Sequence, residues 1–267
     1  MKFVHLDKVL TAGTEYVTPK RIAYIIEKIG TNSSGDAYLE IEGRKTGVIN
    51  STVAPLHVTS SNKLGPLDLG KLYYFIPPET KFKFVGDSGS KCRIIGKTLI
   101  LSPGESVPDE YMTRFEAQSR HYFKYVEGTY SHGTDVAWTA NDENEVLSIT
   151  PLTIEKYVFN RILMASVENV TISEGDMAIT VYLDNTPIPF DWAENIQRGI
   201  DVLSCPRPPS DSTEEVPFTF EHLPIEVTGD HTISFRAINT SGADLTPASG
   251  TSITVTITAI VEYLKQA

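Results

Sequence analysis

Apolar and polar side chains alternate with period two along much of this chain. The runs Ala37–Glu42, Lys81–Val85 and Ile179–Leu183 each place their apolar residues largely on one parity, the pattern of a strand with one buried face. The closing run is the clearest: Ile253, Val255, Ile257, Ala259 and Val261 face one way, and Thr254, Thr256 and Thr258 face the other. Tyr73–Ile76 is a continuous apolar run stopped by Pro77 and Pro78, which predicts a short buried strand. Gly, Pro, Asn and Asp clusters separate the runs about every 8–15 residues, the grammar of antiparallel sandwiches.

Two stretches are open to a second period. Ile22–Ile29 is rich in β-branched and aromatic residues, yet a helix over 19–29 also fits. Arg114–Val126 carries Phe115, Ala117, Ser119, His121, Phe123 and Tyr125 on one parity. It is read as one long strand in preference to a helix followed by a strand.

The halves of the chain echo each other. Gly86-Asp87 and Gly229-Asp230 are followed at equal distances by Arg93 and Arg236, then by Ile95 and Ile238. Thr18-Pro19 recurs as Thr150-Pro151, Gly35-Asp36 before a strand recurs as Gly175-Asp176, and the closing strand can be laid on Phe115–Phe123. These matches predict an all-β chain of two tandem, duplicated antiparallel β-sandwiches. Residues 1–17 are expected to form an N-terminal arm that orders on a neighbour, and 18–127 the first sandwich. Residues 128–149 are expected as a polar linker anchored by Trp138. The second sandwich spans 150–267 and is interrupted by a Pro-rich loop at 205–217, whose prolines hold it extended and out of any central strand.

Composition narrows the partners. A chain of 267 residues, 40% of them hydrophobic, suits two domains each with its own core. The formal net charge of −11 disfavours direct nucleic-acid binding. The nearest approach to a basic patch, Lys81, Lys83, Lys91, Arg93 and Lys97, is read as a solvated strand face. Cys92 and Cys205 lie in different halves and are expected as free thiols, one buried on a strand and one in a loop beside Pro206. Met1–Lys8 lacks a long apolar run, so no secretory leader is expected, and no apolar window approaches about 18 residues, so no membrane span is expected. The sequons at Asn32, Asn50, Asn169 and Asn239 are read as turn composition.

No nucleophile elbow, phosphate loop, dinucleotide fingerprint or zinc spacing occurs. The expectation is therefore no enzyme, with no catalytic, cofactor-binding or metal-ligating residues and no cofactor. His5, His57, His121, His132, His222 and His231 form no paired motif, and His121 is read as a satisfied core or interface histidine. Ser131, His132 and Asp135 have the composition of a triad but lie too close in sequence to face one another. The run Asn141–Glu145 offers oxygens of the kind calcium takes, without the spacing of an EF-hand, and is read as solvated linker; a structural calcium is left open.

The repeated Gly-Asp-x5-Arg-x-Ile segments and the Thr-rich strand Ser252–Ala259, set in two sandwiches of jelly-roll size, resemble in outline the jelly-roll capsid proteins of tailless icosahedral viruses. The resemblance implies a virion structural protein located in the virion, acting by self-assembly and by contacts with other virion proteins. The segment Gly229–Arg236 is also similar to immunoglobulin-like and carbohydrate-binding sandwiches. That likeness implies the alternative: a module of a viral spike or cell-surface protein that binds a glycan or host receptor, with Trp138, Trp192, Tyr73 and Tyr74 as candidate platforms.

Overall fold

The computed structural model describes residues 1–59, 64–161, 163–189, 199–205, 219–222 and 224–266. The chain divides into two compact units, Met1–Tyr125 with Glu262–Gln266, and Val126–Val261. Both are antiparallel and almost wholly β.

In the first unit the strands are β1 (Lys2–Thr11), β2 (Glu15–Val17), β3 (Ile22–Thr31), β4 (Tyr38–Ile41), β5 (Arg44–Lys45), β6 (Leu67–Asp68), β7 (Tyr74–Ile76), β8 (Lys81–Val85) and β9 (Lys91–Ile100), followed by α1 (Asp109–Ala117). One sheet runs β1-β9-β3-β6, with β7 also on β3, and the other runs β2-β8-β4-β5. Taking β6 and β7 as one position, the sheets read first-eighth-third-sixth and second-seventh-fourth-fifth. This is the double Greek key of a jelly roll. Tyr24 of one sheet meets Phe82 of the other edge-on at 6.0 Å.

The second unit is built on β10 (His121–Ser131, from Val126 on), β11 (Glu143–Ile149), β12 (Glu155–Phe159), β13 (Leu163–Glu168), β14 (Met177–Leu183), β15 (Thr186–Pro187), β16 (Ile200–Asp201), β17 (Ile225–Thr228), β18 (Ile233–Asn239) and β19 (Thr254–Lys265, as far as Val261). Its sheets run β10-β19-β12-β17, with β13 on β19, and β11-β18-β14-β15, with β16 on β14. With β12 and β13 as one position and β15 and β16 as another, the order is again first-eighth-third-sixth and second-seventh-fourth-fifth. Phe159 and Phe235 pack across its core at 5.2 Å.

This shared order revises the echo between the halves. Thr18-Pro19 and Thr150-Pro151 both lead into the third position, and Gly35-Asp36 and Gly175-Asp176 both lead into the fourth. Gly86-Asp87, however, joins the seventh position to the eighth, whereas Gly229-Asp230 joins the sixth to the seventh. The two segments are not equivalent strands. Their likeness is chemical. Arg93 on β9 pairs with Asp7 of the edge strand β1, and Arg236 on β18 pairs with Glu143 of the edge strand β11. In each case the acid lies two residues before the arginine's cross-strand partner, Val9 or Glu145. A central strand beside an edge strand invites this diagonal pairing in any sandwich. The counterpart of β19 is β9, not Phe115–Phe123.

Other expectations change for local reasons. Residues 1–17 are not a free arm: β1 pairs over its length with β9, and β2 pairs with β8. No helix forms over 19–29, because β3 is buried on both faces. Tyr24 and Ile26 look into the sandwich, while Ala23 and Ile25 lie under α1. Opposite the bulge in β3, a Cβ on Gly96 would lie 2.1 Å from the Ile25 carbonyl oxygen, so only glycine lets the strands approach. Arg114–Val126 is not one strand but the end of α1 followed by β10. Tyr111, Met112 and Phe115 of α1 cover Ala23, Ile25, Phe75 and Leu99, and that apolar surface decides the ambiguous period. The buried Arg114 guanidinium donates to the carbonyls of Leu72, Tyr73 and His121, and desolvation lowers its pKa. The Gln118 amide pairs both ways with the Phe75 backbone. Residues 128–149 contain the end of β10 and all of β11, so strands replace half of the expected linker. Trp138 within it is fully buried.

Cys92 and Cys205 are both buried free thiols, the first on β9 and the second just past the short 3-10 turn Val202–Ser204. Burial raises the pKa of both, which makes them poor nucleophiles. The Pro-rich loop at 206–217 and Trp192 lie outside the described residues. No helix is long and apolar enough to cross a membrane among the described residues.

One turn contact carries a pH prediction. Asp184 and Asn185 close the β14–β15 hairpin with positive φ at both residues. The Asp184 carboxylate meets His231 Nδ1 at 2.5 Å and accepts from the Thr232 amide at 2.8 Å. The hydrogen bond to Asp184 raises the His231 pKa above 6.5, and the same bond lowers that of Asp184 below 3.8. The histidine's contribution is full below its ordinary value and fades as pH rises through the raised one. The carboxylate's contribution is full above its ordinary value and fades as pH falls through the lowered one. NMR titration of His231 is expected to give a midpoint above 6.5 that falls towards 6.5 in Asp184→Asn. A wild-type midpoint at or below that value would refute the tie.

Candidate functional site

A recess of about 580 Å3 opens on the outer face of the β11-β18-β14-β15 sheet. Alternation puts Val181, Phe235 and Ala237 into the core and turns Thr180, Tyr182, Arg236 and Glu143 outward. The Glu143 carboxylate is the hub. Thr180 Oγ1 donates to it at 2.5 Å, and the Tyr182 hydroxyl lies 3.0 and 2.9 Å from its two oxygens. Arg236 Nη1 stands 3.5 Å from Glu143 Oε2, and its guanidinium lies 4.2 Å over the Tyr182 ring. Arg236 Nη2 also donates to Asn185 Oδ1 at 3.3 Å, whereas its buried Nε has no partner. Burial first, and Glu143 second, push the Tyr182 phenol up, which keeps it a proton donor. Pro187, Ile188, Pro189 and Ile238 form the apolar wall.

Sequence reasoning did not single out this recess. Glu143 entered only within the acidic run Asn141–Glu145, which the fold disperses: Asn144 Nδ2 donates to Asp142 Oδ2, while Glu143 turns to β14. Among the described residues no cluster of three or more His, Cys, Asp or Glu side chains could hold a metal. The candidate sugar platforms are occupied elsewhere. Trp138 and Tyr74 are buried, and Tyr73 sits against Tyr111 and Arg114. Ser131, His132 and Asp135 have separate partners: Thr254, the Trp138 ring and the Gly250 amide. His121 Nε2 meets Glu262 at 2.6 Å, with Lys71 at 3.5 Å from the same carboxylate. The sequon residues Asn50 and Asn239 are buried.

Four of the five cations read as a solvated strand face are paired in place. Lys81 pairs with Glu15, Lys83 with Glu40, Arg93 with Asp7 and Lys97 with Glu27. Each acid lies on a neighbouring strand, so the charge of these four is consumed in cross-strand pairing.

A second feature is the free edge of β1. Among the described residues this strand of ten residues pairs with β9 on one side only. Phe3 is 45% exposed and Val9 49% exposed, on the same parity, with Val4 nearby. A long edge with exposed apolar side chains is a template for another strand or surface.

No family model matches the chain, and no curated protein matches it in sequence. In structure it is similar to the major capsid protein P2 of bacteriophage PM2, at 10% identity over 97% of each chain with a TM-score of 0.32. It is similar to a chain of the PBCV-1 virus capsid at 11% identity, over 99% of this chain and 95% of that one, with a TM-score of 0.35. A conserved protein of unknown function from Pseudomonas aeruginosa matches at 8% identity, over 97% of this chain and 82% of that one, with a TM-score of 0.22.

Proposed function

We propose that this chain is a virion structural protein that works through its surfaces rather than by catalysis, assembling with copies of itself and with other virion proteins. The observation that carries assembly is the β1 edge, where Phe3 and Val9 stand half exposed beside an unpaired row of backbone groups. Burying such an edge removes apolar area from water at roughly 25 cal/mol per Å2 and satisfies its backbone donors and acceptors. Stable association calls for about 1,200 Å2 in total, so the edge would act with adjoining surface.

Light scattering after size exclusion is expected to show oligomers that grow with concentration. The double variant Phe3→Lys, Val9→Lys is expected to weaken association at least about tenfold with an unchanged melting temperature, since both side chains are exposed in the single chain. A strictly monomeric wild-type protein at high concentration would sink the proposal.

A further inference from the structure

We infer that the recess above Thr180 and Tyr182 is a binding site for a neutral saccharide. Its volume of about 580 Å3 falls within the range of ligand pockets, roughly 300–1,000 Å3. Its chemistry selects among ligands. Thr180 and Tyr182 each have one hydroxyl proton, and both are directed at Glu143. The remaining lone pairs of the carboxylate and of the two hydroxyls offer acceptors, and the Asn141 amide, which also lines the recess, brings both donor and acceptor groups. Phosphates and carboxylates bring only acceptors and would set a like charge beside Glu143. A cation would need an uncompensated negative charge, but Arg236 already stands 3.5 Å from Glu143 Oε2. Sugar hydroxyls both donate and accept, and so fit the floor. The C–H face of a pyranose suits the aliphatic wall of Pro187, Ile188, Pro189 and Ile238.

The floor is built before any ligand arrives. Glu143 and Thr180 stand on β11 and β14, with Arg236 on β18 between them, and strand-borne groups hold position better than loop-borne ones. This inference does not depend on assembly: a monomeric protein that bound sugar would overturn the proposed function and leave the site standing.

The test is amide NMR of the full chain with glucose, galactose, N-acetylglucosamine, maltose and lactose, each at about 10 mM to suit millimolar affinity. At least one sugar is expected to give saturable shifts centred on Thr180, Tyr182, Ile188 and Ile238. Glu143→Gln is expected to weaken that binding at least about tenfold. Should that variant fail to fold, the wild-type shift map decides alone. The inference is overturned by the absence of saturable shifts with all five sugars, by shifts centred away from these residues, or by undiminished binding in a folded Glu143→Gln. It is equally overturned if n-butylammonium perturbs the recess and no sugar does.

Discussion

Replacing Ile257 with Asp is expected to unfold the second unit. Ile257 is fully buried on β19 and stands opposite the buried Ala165 of β13. An aspartate there either buries an unpaired carboxylate or takes up a proton and leaves polar oxygens without partners. The cost expected is above about 4–5 kcal/mol, the far tail for single substitutions. A domain's whole stability is about 5–15 kcal/mol. Ile257→Val, which removes one methylene and adds no charge, is expected to cost only about 0.5–1.5 kcal/mol. Near-ultraviolet circular dichroism and dye binding to exposed apolar surface would read the loss. An Asp variant with the parental melting temperature and full β signal would refute it.

The second large effect is expected at Trp138. Its ring is fully buried, stacked on His132 at 5.2 Å and edge-on to Tyr130 at 5.5 Å. Its Nε1 donates to the Asp142 carbonyl at 2.9 Å. Its backbone exchanges two hydrogen bonds with Leu245, and its carbonyl accepts from the buried Asn239 amide at 2.7 Å. Trp138→Ala leaves a cavity that this framework cannot close, and a loss of about 3–5 kcal/mol is expected. Trp138→Phe keeps most of the packing and gives up one hydrogen bond, with an expected loss of about 1–2 kcal/mol. Denaturant titration checks both, and an Ala variant within about 1 kcal/mol of wild type would contradict the anchor role.

The strands that alternate cleanly were legible from sequence because period two is a property of neighbours along the chain. Lys81–Val85 and Thr254–Ile257 each show one buried parity and one that is wetter. From Thr258 to Tyr263 β19 is buried on both parities, which its threonine pattern did not announce. Thr258 is covered because its hydroxyl donates to Glu127 across the strand pair. The recess was not legible at all. Glu143 comes from β11, Thr180 and Tyr182 from β14 and Ile238 from β18, far apart in sequence and each bland by itself.

The amino-acid sequence by itself determined that this chain is predominantly β, that turns recur at short intervals, and that two sandwich-sized units follow one another. Those facts depend on side-chain periodicity and turn chemistry, which act over a few residues. Only the tertiary structure decided which strands are partners, that Gly86–Ile95 and Gly229–Ile238 hold different positions, and that α1 rather than a strand covers Ala23, Ile25 and Leu99. Partner choice rests on burying apolar faces contributed by residues distant in sequence, and an edge strand and a central strand can carry the same local pattern.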